Sequence, residues 1–509
     1  MDGPKSTWLD RAIAWFAPGW GESRARSRLM ARHFEAAAFG RRTDGFSRRL
    51  TDANAAASGA TLGYLRAQAR DLVRNNAWAR RGLRRIMTNT VGWGIRPQAN
   101  EASGKRGKHV MERWVDWAES TQCDAAGQLT FYGLQAQVMR TIVESGEVLV
   151  RRRIRRPEDG LSVPLQLQVI EPDLIDTGKD GLELPNGGRI TQGVEFDPIG
   201  RRVAYWLFDQ HPGGLRLVNP ASKRVPTDSI LHVYEVERPG QVRGPSWFAS
   251  VDVRLHDFDE FEDATLMKQK IAACMAAFVT DVDGAGNAIG GSGEDSASGQ
   301  PTDSLEPGMI LNLPAGRSVT VANPPVANDH TSFSQAMLRA VAAGLGVTYE
   351  DLTGDYSQVN FSSARMARIA HTRDVYHWQW NMLIPMFCAP VWMWMLDAMA
   401  LAGEQVEGVR ATWTPPAMPM IDPAQEGKAL KDNVRAGVMT HDQMVREQGY
   451  DPALWWAEYS AGVKRLAELG IVLDSDASKT TAAGMLQVAP TAAAPPPPAS
   501  GDPSGSNPT

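Results

Sequence analysis

The sequence contains few cysteines and lacks the motifs on which much enzyme chemistry depends. Its 509 residues include three cysteines, Cys123, Cys274 and Cys388, which stand far apart and form no CxxC pair. This spacing excludes a disulfide framework, and it favours a reducing cytoplasm as the compartment of the chain. The motifs GxxxxGKS/T, HExxH, GxSxG and GxGxxG are also absent. The absence of a P-loop predicts that the chain is not itself an ATP-driven motor. We expect no enzyme, with no catalytic residue, no cofactor and no bound metal, and a metal-dependent nuclease is the alternative.

Long uninterrupted apolar runs are scarce as well. The N-terminal segment contains acidic residues and no continuous apolar core, so we expect no signal peptide. Residues 382–396, MLIPMFCAPVWMWML, carry no charge, but 15 residues fall short of the roughly 20 that a spanning helix needs. Pro385 and Pro390 interrupt this segment. We expect a kinked helix buried in the core, and a membrane-associated oligomer is the alternative.

Tryptophan is abundant by contrast. Sixteen are present, and Trp378, Trp380, Trp392 and Trp394 crowd in and beside this apolar segment. Base stacking needs exposed rings next to basic residues, whereas the neighbours here are Met, Leu, Pro and Phe. We therefore expect these rings to pack inside the subunit or between subunits.

Charge is distributed unevenly along the chain. The net charge is −5, yet residues 1–100 hold 18 Lys/Arg against 7 Asp/Glu, and residues 101–509 hold 35 against 51. A basic N-terminal part (+11) on an acidic body (−16) indicates different partners at different faces. Domains that grip DNA over their whole surface are usually basic throughout, so the composition does not favour that class.

Periodicity predicts an α+β protein. Apolar residues recur at three- and four-residue intervals in helices at about 61–91, 109–121 and 131–145, and the last helix turns into a strand at Ser145–Gly146. Between residues 164 and 236 the chain changes to short segments rich in Val, Ile, Tyr and Phe, as in strands. These predicted strands are LQLQVI, GVEFD, RVAYWLF and ILHVYEV.

Two long helices are predicted to bracket an insert. The first begins near Ser246 and extends to about Val279, and the second spans about 331–345. The insert contains two strand-like segments, MILNL and SVTVAN, after a stretch rich in Gly, Ser and Asp. An insert carried on a helical stalk projects from the body, as a docking device does.

The remaining segments are a loop, helices and two polar termini. A polar loop at 348–361 precedes a very long helix at 362–401, and further helices are expected at about 422–473. Residues 1–60 show little periodicity and are expected to be mobile in part. From Ser475 onward the Ala/Pro/Ser-rich tail buries too little apolar surface to offset its ordering entropy, so disorder is expected.

One helix carries an acidic stripe that permits three interpretations. On a helix over residues 252–263, acidic residues fall on one side and apolar residues lie roughly opposite. Together with a histidine, the acids are residue types that hold divalent metals in a nuclease, or they form an ordinary solvated face. We favour a third interpretation, in which the helix lines a ring and repels DNA phosphates so that DNA slides freely. The residues of the stripe are Asp252, His256, Asp259, Glu260 and Asp263. The residues of the apolar side are Val251, Leu255, Phe258 and Phe261.

Several stretches resemble the lambda-type family of phage portal proteins. The most specific is GVTYEDLTGDYSQVNFSSAR at 346–365. NTVGWGIRPQ (89–98), SGEVLVRRR (145–153) and HVYEVERPGQVRGPSWF (232–248) agree with the family and occur in its order. The resemblance covers roughly residues 60–460.

The resemblance implies a ring oligomer, typically of twelve subunits, at one vertex of a capsid. The implied fold has an α/β wing, a two-helix stem, a small β-containing clip, a long kinked helix and a helical crown. On this sequence these parts are the wing at 61–245, the first stem helix at 246–280, the clip at 281–330, the second stem helix at 331–347, the tunnel loop at 348–361, the long wing helix at 362–415 and the crown at 416–474. A basic arm at 1–60 and the tail at 475–509 lie outside the match.

The mechanism implied by the resemblance is mechanical. The clip docks the large terminase ATPase during packaging and a head-completion or adaptor protein afterwards, and the ring sits among major capsid and scaffolding proteins. Double-stranded DNA passes through the channel of a virion assembled in the bacterial cytoplasm, with no membrane involved. The tunnel-loop residues expected to touch DNA are Thr353, Asp355, Tyr356, Ser357, Gln358 and Asn360, none of which is cationic. Asp355 or Asn360 is alternatively expected to cap the next helix.

Two groups of arginines keep two interpretations each. The first group, on one helix face, consists of Arg66, Arg70, Arg74, Arg80, Arg81, Arg84 and Arg85. These side chains either contact packaged DNA or an acidic capsid surface, or they pair with neighbouring acids on a solvated face. The second group, at a strand end, consists of Arg151, Arg152, Arg153, Arg155 and Arg156. Alternation aims these residues at both faces, so that one face meets a neighbouring subunit's acids or the group forms an exposed edge.

Overall fold

The computed structural model describes residues 51–214, 221–273, 277–281, 317–321, 330–473 and Met485. By its internal contacts the chain divides into two units. In the smaller unit, a short helix at Ala53–Ala56 lies in a segment joined to residues 238–240 by a hydrogen bond from Asn54 Nδ2 to the Gly240 carbonyl at 3.0 Å. The larger unit comprises the chain from Ala57 onward without residues 238–240, and it contains every element that follows.

The larger unit begins with helices. They are α1 (Gly59–Asn75), α2 (Ala77–Val91), α3 (Gly104–Ala118) and α4 (Phe131–Ser145). The prediction of one continuous helix over about 61–91 was wrong at Asn76, whose backbone is extended and whose side chain accepts a hydrogen bond from Ala79 N at 2.8 Å. Asparagine is a preferred N-cap, so it ends one helix and starts the next.

Strands in the described residues form four small antiparallel sheets. The strands are β1 (Arg96–Ala99), β2 (Glu147–Ile154), β3 (Leu165–Ile170), β4 (Arg189–Thr191), β5 (Val194–Phe196), β6 (Arg202–Phe208), β7 (Ser222–Pro226), β8 (Ile230–Tyr234), β9 (Ala277–Asp281), β10 (Arg317–Val321) and β11 (Ala411–Thr414). Their orders are β3-β2-β8, β4-β5-β6-β7, β1-β11 and β9-β10. The predicted strands at 165–170, 194–196, 202–208 and 230–234 are confirmed, whereas β1, β4, β7 and β11 are too short or too polar to stand out in the sequence.

The first helix of the predicted stalk is shorter than expected. Helix α5 spans Asp252–Ala273, and residues 277–281 form β9 instead of continuing the helix to about 279. The sequence AFVTD favours a strand, and β9 pairs with β10, which confirms the predicted SVTVAN strand. Helix α6 (His330–Leu345) then returns the chain. The predicted MILNL strand and most of the predicted clip lie outside the described residues.

The predicted polar loop contains a helix. Residues Tyr349–Thr353 form α7, capped by Thr348, whose side chain accepts a hydrogen bond from Asp351 N at 3.1 Å. Gly354 closes α7 with φ +75°, a conformation that favours glycine. The prediction of a loop over 348–361 was therefore wrong for residues 349–353.

A long helix follows, built from α8 (Phe361–Trp378), a π-helical segment (Gln379–Cys388) and α9 (Ala389–Leu401). Pro385 lies inside the π-helical segment, where its missing N–H removes a backbone hydrogen bond. By length and composition this helix is the one candidate membrane span among the described residues, yet 67% of its most apolar stretch is buried inside the protein. The expected core helix is confirmed. Trp378, Trp392 and Trp394 are buried, while Trp380 is half exposed.

The long wing helix was predicted to occupy 362–415, but helical structure ends at Leu401, and residues 411–414 form β11 against β1. Three further helices follow, α10 (Pro423–Arg435), α11 (His441–Glu447) and α12 (Pro452–Glu468). They agree with the helical content predicted at about 422–473.

Strand β2 connects two hydrophobic cores. Its Val148 and Val150 face a large core built from the helices, and Leu149 faces a smaller core between β2 and the β4–β7 sheet. In the large core, the ring of Trp114 lies 5.0 Å from Phe131 and 5.2 Å from Trp392. Because β2 is buried on both faces at this end, any polar group in it must be satisfied internally.

Candidate functional site

The acidic helix α5 presents only part of its predicted stripe to solvent. His256, Glu260 and Asp263 are exposed, whereas Asp252 and Asp259 are half-buried. Asp259 accepts a hydrogen bond from Asn76 Nδ2 at 2.7 Å and therefore ties α5 to the start of α2. Burial raises the pKa of Asp252 above its ordinary value.

The apolar side of α5 is placed as predicted. Val251, Leu255 and Phe258 are buried, and Phe261 is half-buried against α6, with its ring 4.5 Å from that of Phe333. Asp257 lies outside the predicted stripe and is exposed beside His256. The exposed face of α5 therefore carries three acids, Asp257, Glu260 and Asp263.

This face has some ligands for a metal but not the shape of a metal site. Ligand atoms of His256, Asp257 and Glu260 lie within 4.8 Å of one another, and His256 Nδ1 is 3.8 Å from Glu260 Oε1. All three side chains are exposed and project from one helix, so they form a single wall. A hydrolytic metal site needs a shaped cavity and ligands that are held in place. No finding supports the nuclease interpretation.

The predicted DNA-facing loop divides into residues that build the loop and residues that are exposed. Thr353 donates to the Tyr349 carbonyl at 2.8 Å, and Asp355 accepts from Ser357 N at 3.0 Å. The hydrogen bonds from Ser357 lower the pKa of Asp355. Asn360 caps α8 by accepting from Ser363 N at 2.8 Å, which confirms the predicted capping role for that residue.

Tyr356, Ser357 and Gln358 are all exposed, and of these Ser357 is hydrogen-bonded to Asp355. Tyr356 is 59% exposed, and Gln358 is also exposed. Tyr356 lies at the rim of a cavity of about 500 Å³, which α2, α8 and residues 416–421 also line. Both side chains can donate and accept hydrogen bonds, so they suit weak contacts with a polar surface.

Cations from distant parts of the sequence lie next to this loop in the structure. On α2, Arg81 Nε donates to the Asp351 carbonyl at 3.0 Å, and Arg85 Nε lies 3.9 Å from the Asp351 carboxylate. Arg339 of α6 lies over the ring of Tyr349, 5.4 Å from its centroid. The loop has no cation of its own, and the cations next to it are supplied by other elements.

A buried ionic cluster lies at the base of β2. The Glu147 carboxylate is fully buried and accepts hydrogen bonds from Arg243 Nη2 at 2.6 Å and from His232 Nε2 at 2.9 Å. Gly244 N donates to it at 3.1 Å, and Arg66 Nη1 lies 3.3 Å away. No local sequence pattern predicts this cluster, because its charged members are up to 177 residues apart. Three of them nevertheless stand in the segments that resemble portal proteins.

Charge pairing fixes the protonation of this cluster. Burial by itself raises the pKa of Glu147, but Arg243 and His232 outweigh it and hold the net pKa well below its ordinary value. Burial lowers the pKa of His232 to about 4. At neutral pH Glu147 is therefore ionised, and His232 is neutral and donates its Nε2–H.

The first three arginines of the first group pair with acids of the same chain. Arg66 is buried and binds Glu147 and Asp173, and Arg70 Nη2 lies 2.6 Å from Asp173. Arg74 is exposed and lies 3.5 Å from Asp71. Pairing with acids of the same chain was one of the two interpretations, and it holds for these three, although Arg66 is buried rather than on a solvated face.

Two glycine backbones meet beside this cluster. Gly146 adopts φ +87°, and a Cβ there would lie 2.3 Å from the carbonyl carbon of Pro245. A Cβ on Gly244 would lie 2.3 Å from the Gly146 carbonyl oxygen. Only glycine fits at both positions, and this contact places Arg243 next to Glu147.

Comparison with known proteins defines the class. A family model described as phage portal protein, lambda family, matches residues 39–379, which is more than half of the chain. The chain therefore belongs to the lambda family of phage portal proteins, which are structural proteins associated with the virion.

Among curated relatives, the chain is 29% identical over 436 residues to a probable portal protein of Halomonas phage phiHAP-1, covering 80% of this chain and 81% of that one. It is 26% identical to the portal protein of Escherichia phage N15 and 25% identical to portal protein B of Escherichia phage lambda, each over 59% of this chain and 62% of the relative. Among solved structures, a chain of a native gene transfer agent virion is 15% identical with a TM-score of 0.44, over 84% of this chain and 99% of that chain. A chain from the neck of that particle is 17% identical with a TM-score of 0.42, over 75% and 94%.

Proposed function

We propose that copies of this chain close into a ring, typically of twelve, whose channel admits double-stranded DNA to a capsid and releases it. Membership of the portal family is the observation that carries this proposal. The pair of helices α5 and α6 supports it, because Phe261 and Phe333 pack between them and the paired strands β9 and β10 lie between them in the chain. A strand pair carried on two helices has the form of a stem with a docking element.

The proposed division of labour follows the chain. Residues 61–245 and the long helix form the wing, α5 and α6 form the stem, residues 281–330 form the clip, residues 354–360 form the tunnel loop after α7, and α10–α12 form the crown. The clip docks the large terminase ATPase and then a head-completion or adaptor protein. Major capsid and scaffolding proteins surround the ring, which assembles in the host cytoplasm.

DNA contacts are proposed to be few and weak. Tyr356 and Gln358 are the tunnel-loop side chains most available to DNA, because the other four predicted residues, Thr353, Asp355, Ser357 and Asn360, already bond locally. The exposed acids of α5 would repel phosphates along the stem, where screening limits the effect to roughly 8–10 Å. A channel with this lining lets the duplex slide.

Imaging of the purified full chain tests this proposal. Cryo-electron microscopy should show closed rings, with residues 354–360 at the narrowest point and Glu260 and Asp263 of α5 facing the lumen. The same sample incubated with plasmid and magnesium should leave the DNA uncut. A monodisperse monomer at all concentrations would refute the ring, and rings with α5 turned outward would refute the acidic lining.

Reversing the acidic lining should make the channel bind DNA. Glu260→Lys with Asp263→Lys changes two exposed residues, so folding should be unaffected. Each added phosphate contact contributes salt-dependent affinity, and we expect rings of the variant to bind a labelled duplex about tenfold or more tightly than wild type at low salt. Fluorescence anisotropy at rising salt measures this.

The matched control is Glu183→Lys with Glu407→Lys, which gives the same charge change at exposed acids outside α5. We expect the control to bind the duplex like wild type. Equal tightening in both variants would indicate a general charge effect and would contradict a special role for α5.

A further inference from the structure

Strand β2 sends its arginines to opposite faces of the sheet. Arg152 lies 3.6 Å from Asp397 and 5.7 Å from the centroid of the Trp394 ring, so it belongs to the face that packs on α9. Arg151 and Arg153 alternate with it and lie on the opposite face, and Arg155, which follows the last residue of β2, continues the alternation. Successive members of this trio are two residues apart, or roughly 6.8 Å along the strand.

Neutral partners hold two of these guanidinium groups in place. Arg153 Nε donates to Gln168 Oε1 at 2.9 Å, and Arg155 Nε donates to Gln166 Oε1 at 2.8 Å, both on the adjacent strand β3. In the described part of the chain, none of the three arginines has an acid within 4.0 Å. The Nη groups are the donors that bind carboxylates side by side, and they remain available for a partner.

The three charges repel one another. Burial lowers the pKa of Arg153, and the neighbouring Arg151 and Arg155 lower it further. Asp209 acts in the opposite direction, but its carboxylate is bound by Lys223 at 2.5 Å. Like charges that stand roughly 6.8 Å apart along one strand repel one another, and an anionic partner would relieve that repulsion.

We propose that the face formed by Arg151, Arg153 and Arg155 is one half of the contact between neighbouring subunits and docks on an acidic surface of a second copy. This inference rests on the proposed ring. Ring closure joins two different surfaces of the same chain, one on each side of the subunit. A cationic face on one side needs an acidic face on the other, and residues 101–509 carry a net charge of −16.

A second copy suits this face better than DNA does. Surfaces that bind DNA are usually basic over a wide area, whereas this trio is a small cationic island on an acidic body. Arginine is also the cation preferred for ion pairs at protein interfaces, because its planar fork matches a carboxylate.

Charge reversal tests the inference. In Arg151→Glu/Arg153→Glu/Arg155→Glu, we expect the concentration needed for half-assembly to rise at least tenfold by mass photometry, with an unchanged far-UV circular dichroism spectrum. The Arg151→Gln/Arg153→Gln/Arg155→Gln variant should shift it in the same direction by less, and it carries the test if the reversed variant does not fold. In wild type, added salt should also weaken assembly.

The matched control is Lys105→Glu/Arg106→Glu/Lys108→Glu, which reverses three exposed cations at the start of α3. It should assemble like wild type. Unchanged assembly of both arginine variants would overturn the inference while leaving the ring intact, whereas a wild type that never forms rings would overturn the proposed function itself. Intact rings that lose affinity for a labelled duplex would assign the face to DNA and would also overturn the inference.

Discussion

Replacing Glu147 by glutamine is expected to destabilise the subunit by about 3–5 kcal/mol. The variant keeps the size of the side chain but removes the negative charge that faces the buried Arg243 and accepts from His232 and Gly244 N. An unpaired guanidinium then stays in a fully buried site, since Arg243 is 1% exposed. In a thermal melt followed by circular dichroism, the midpoint should fall by roughly 10 °C.

Glu119→Gln is the matched control for this experiment. Glu119 pairs with Arg96 at 3.4 Å, but both side chains are nearly half exposed. Exposed ion pairs contribute about 0–1 kcal/mol, so the control should melt close to wild type. If Glu147→Gln melted no lower than Glu119→Gln, the buried cluster would not be a determinant of stability.

Replacing Gly146 by alanine should lower the free energy of unfolding by about 4 kcal/mol, for two separate reasons. The positive φ strains any L side chain by about 1–3 kcal/mol, and the new Cβ meets the backbone of Gly244 and Pro245, which cannot yield as a side chain does. We expect a low yield of soluble protein. The midpoints of thermal unfolding and of urea unfolding should both be lower than those of wild type.

Gly127→Ala separates these two reasons. Gly127 also has a positive φ, +69°, but a Cβ there meets nothing within 4 Å. In this control the free energy of unfolding should fall by only about 1–2 kcal/mol. An equal loss at both glycines would mean that the close approach to Gly244 does not matter.

Much of the secondary structure follows from local sequence, and the errors have local causes. Helix α4 turns into β2 at Gly146 as predicted, since a glycine with positive φ ends one and allows the other. The long apolar segment at 382–396 is a buried core helix, as its length and prolines indicated. The prediction that the first long helix extends to about residue 279 was wrong. Residues 277–281 form a strand because they pair with β10, some 40 residues later in the chain.

Less of the candidate site than of the secondary structure could be predicted from the sequence. Periodicity placed the acidic stripe on one side of α5, but it could not show that Asp259 binds Asn76, which is 183 residues away in sequence. The loop residues were located from a resemblance, and their division into structural and exposed members required the hydrogen bonds of Thr353, Asp355 and Asn360. The cations beneath the loop lie on α2 and α6, so the loop sequence contains no sign of them.

The sequence by itself determined the α+β class, the resemblance to portal proteins, the helix and strand content of most segments and the absence of common catalytic motifs. Each of these depends on neighbouring residues or on short patterns. Only the tertiary structure decided which charges are buried together and which are left exposed. Glu147, His232 and Arg243 are far apart in the chain and become one cluster because β2 and β8 pair and two glycine backbones meet, and electrostatic energy depends on distance in space.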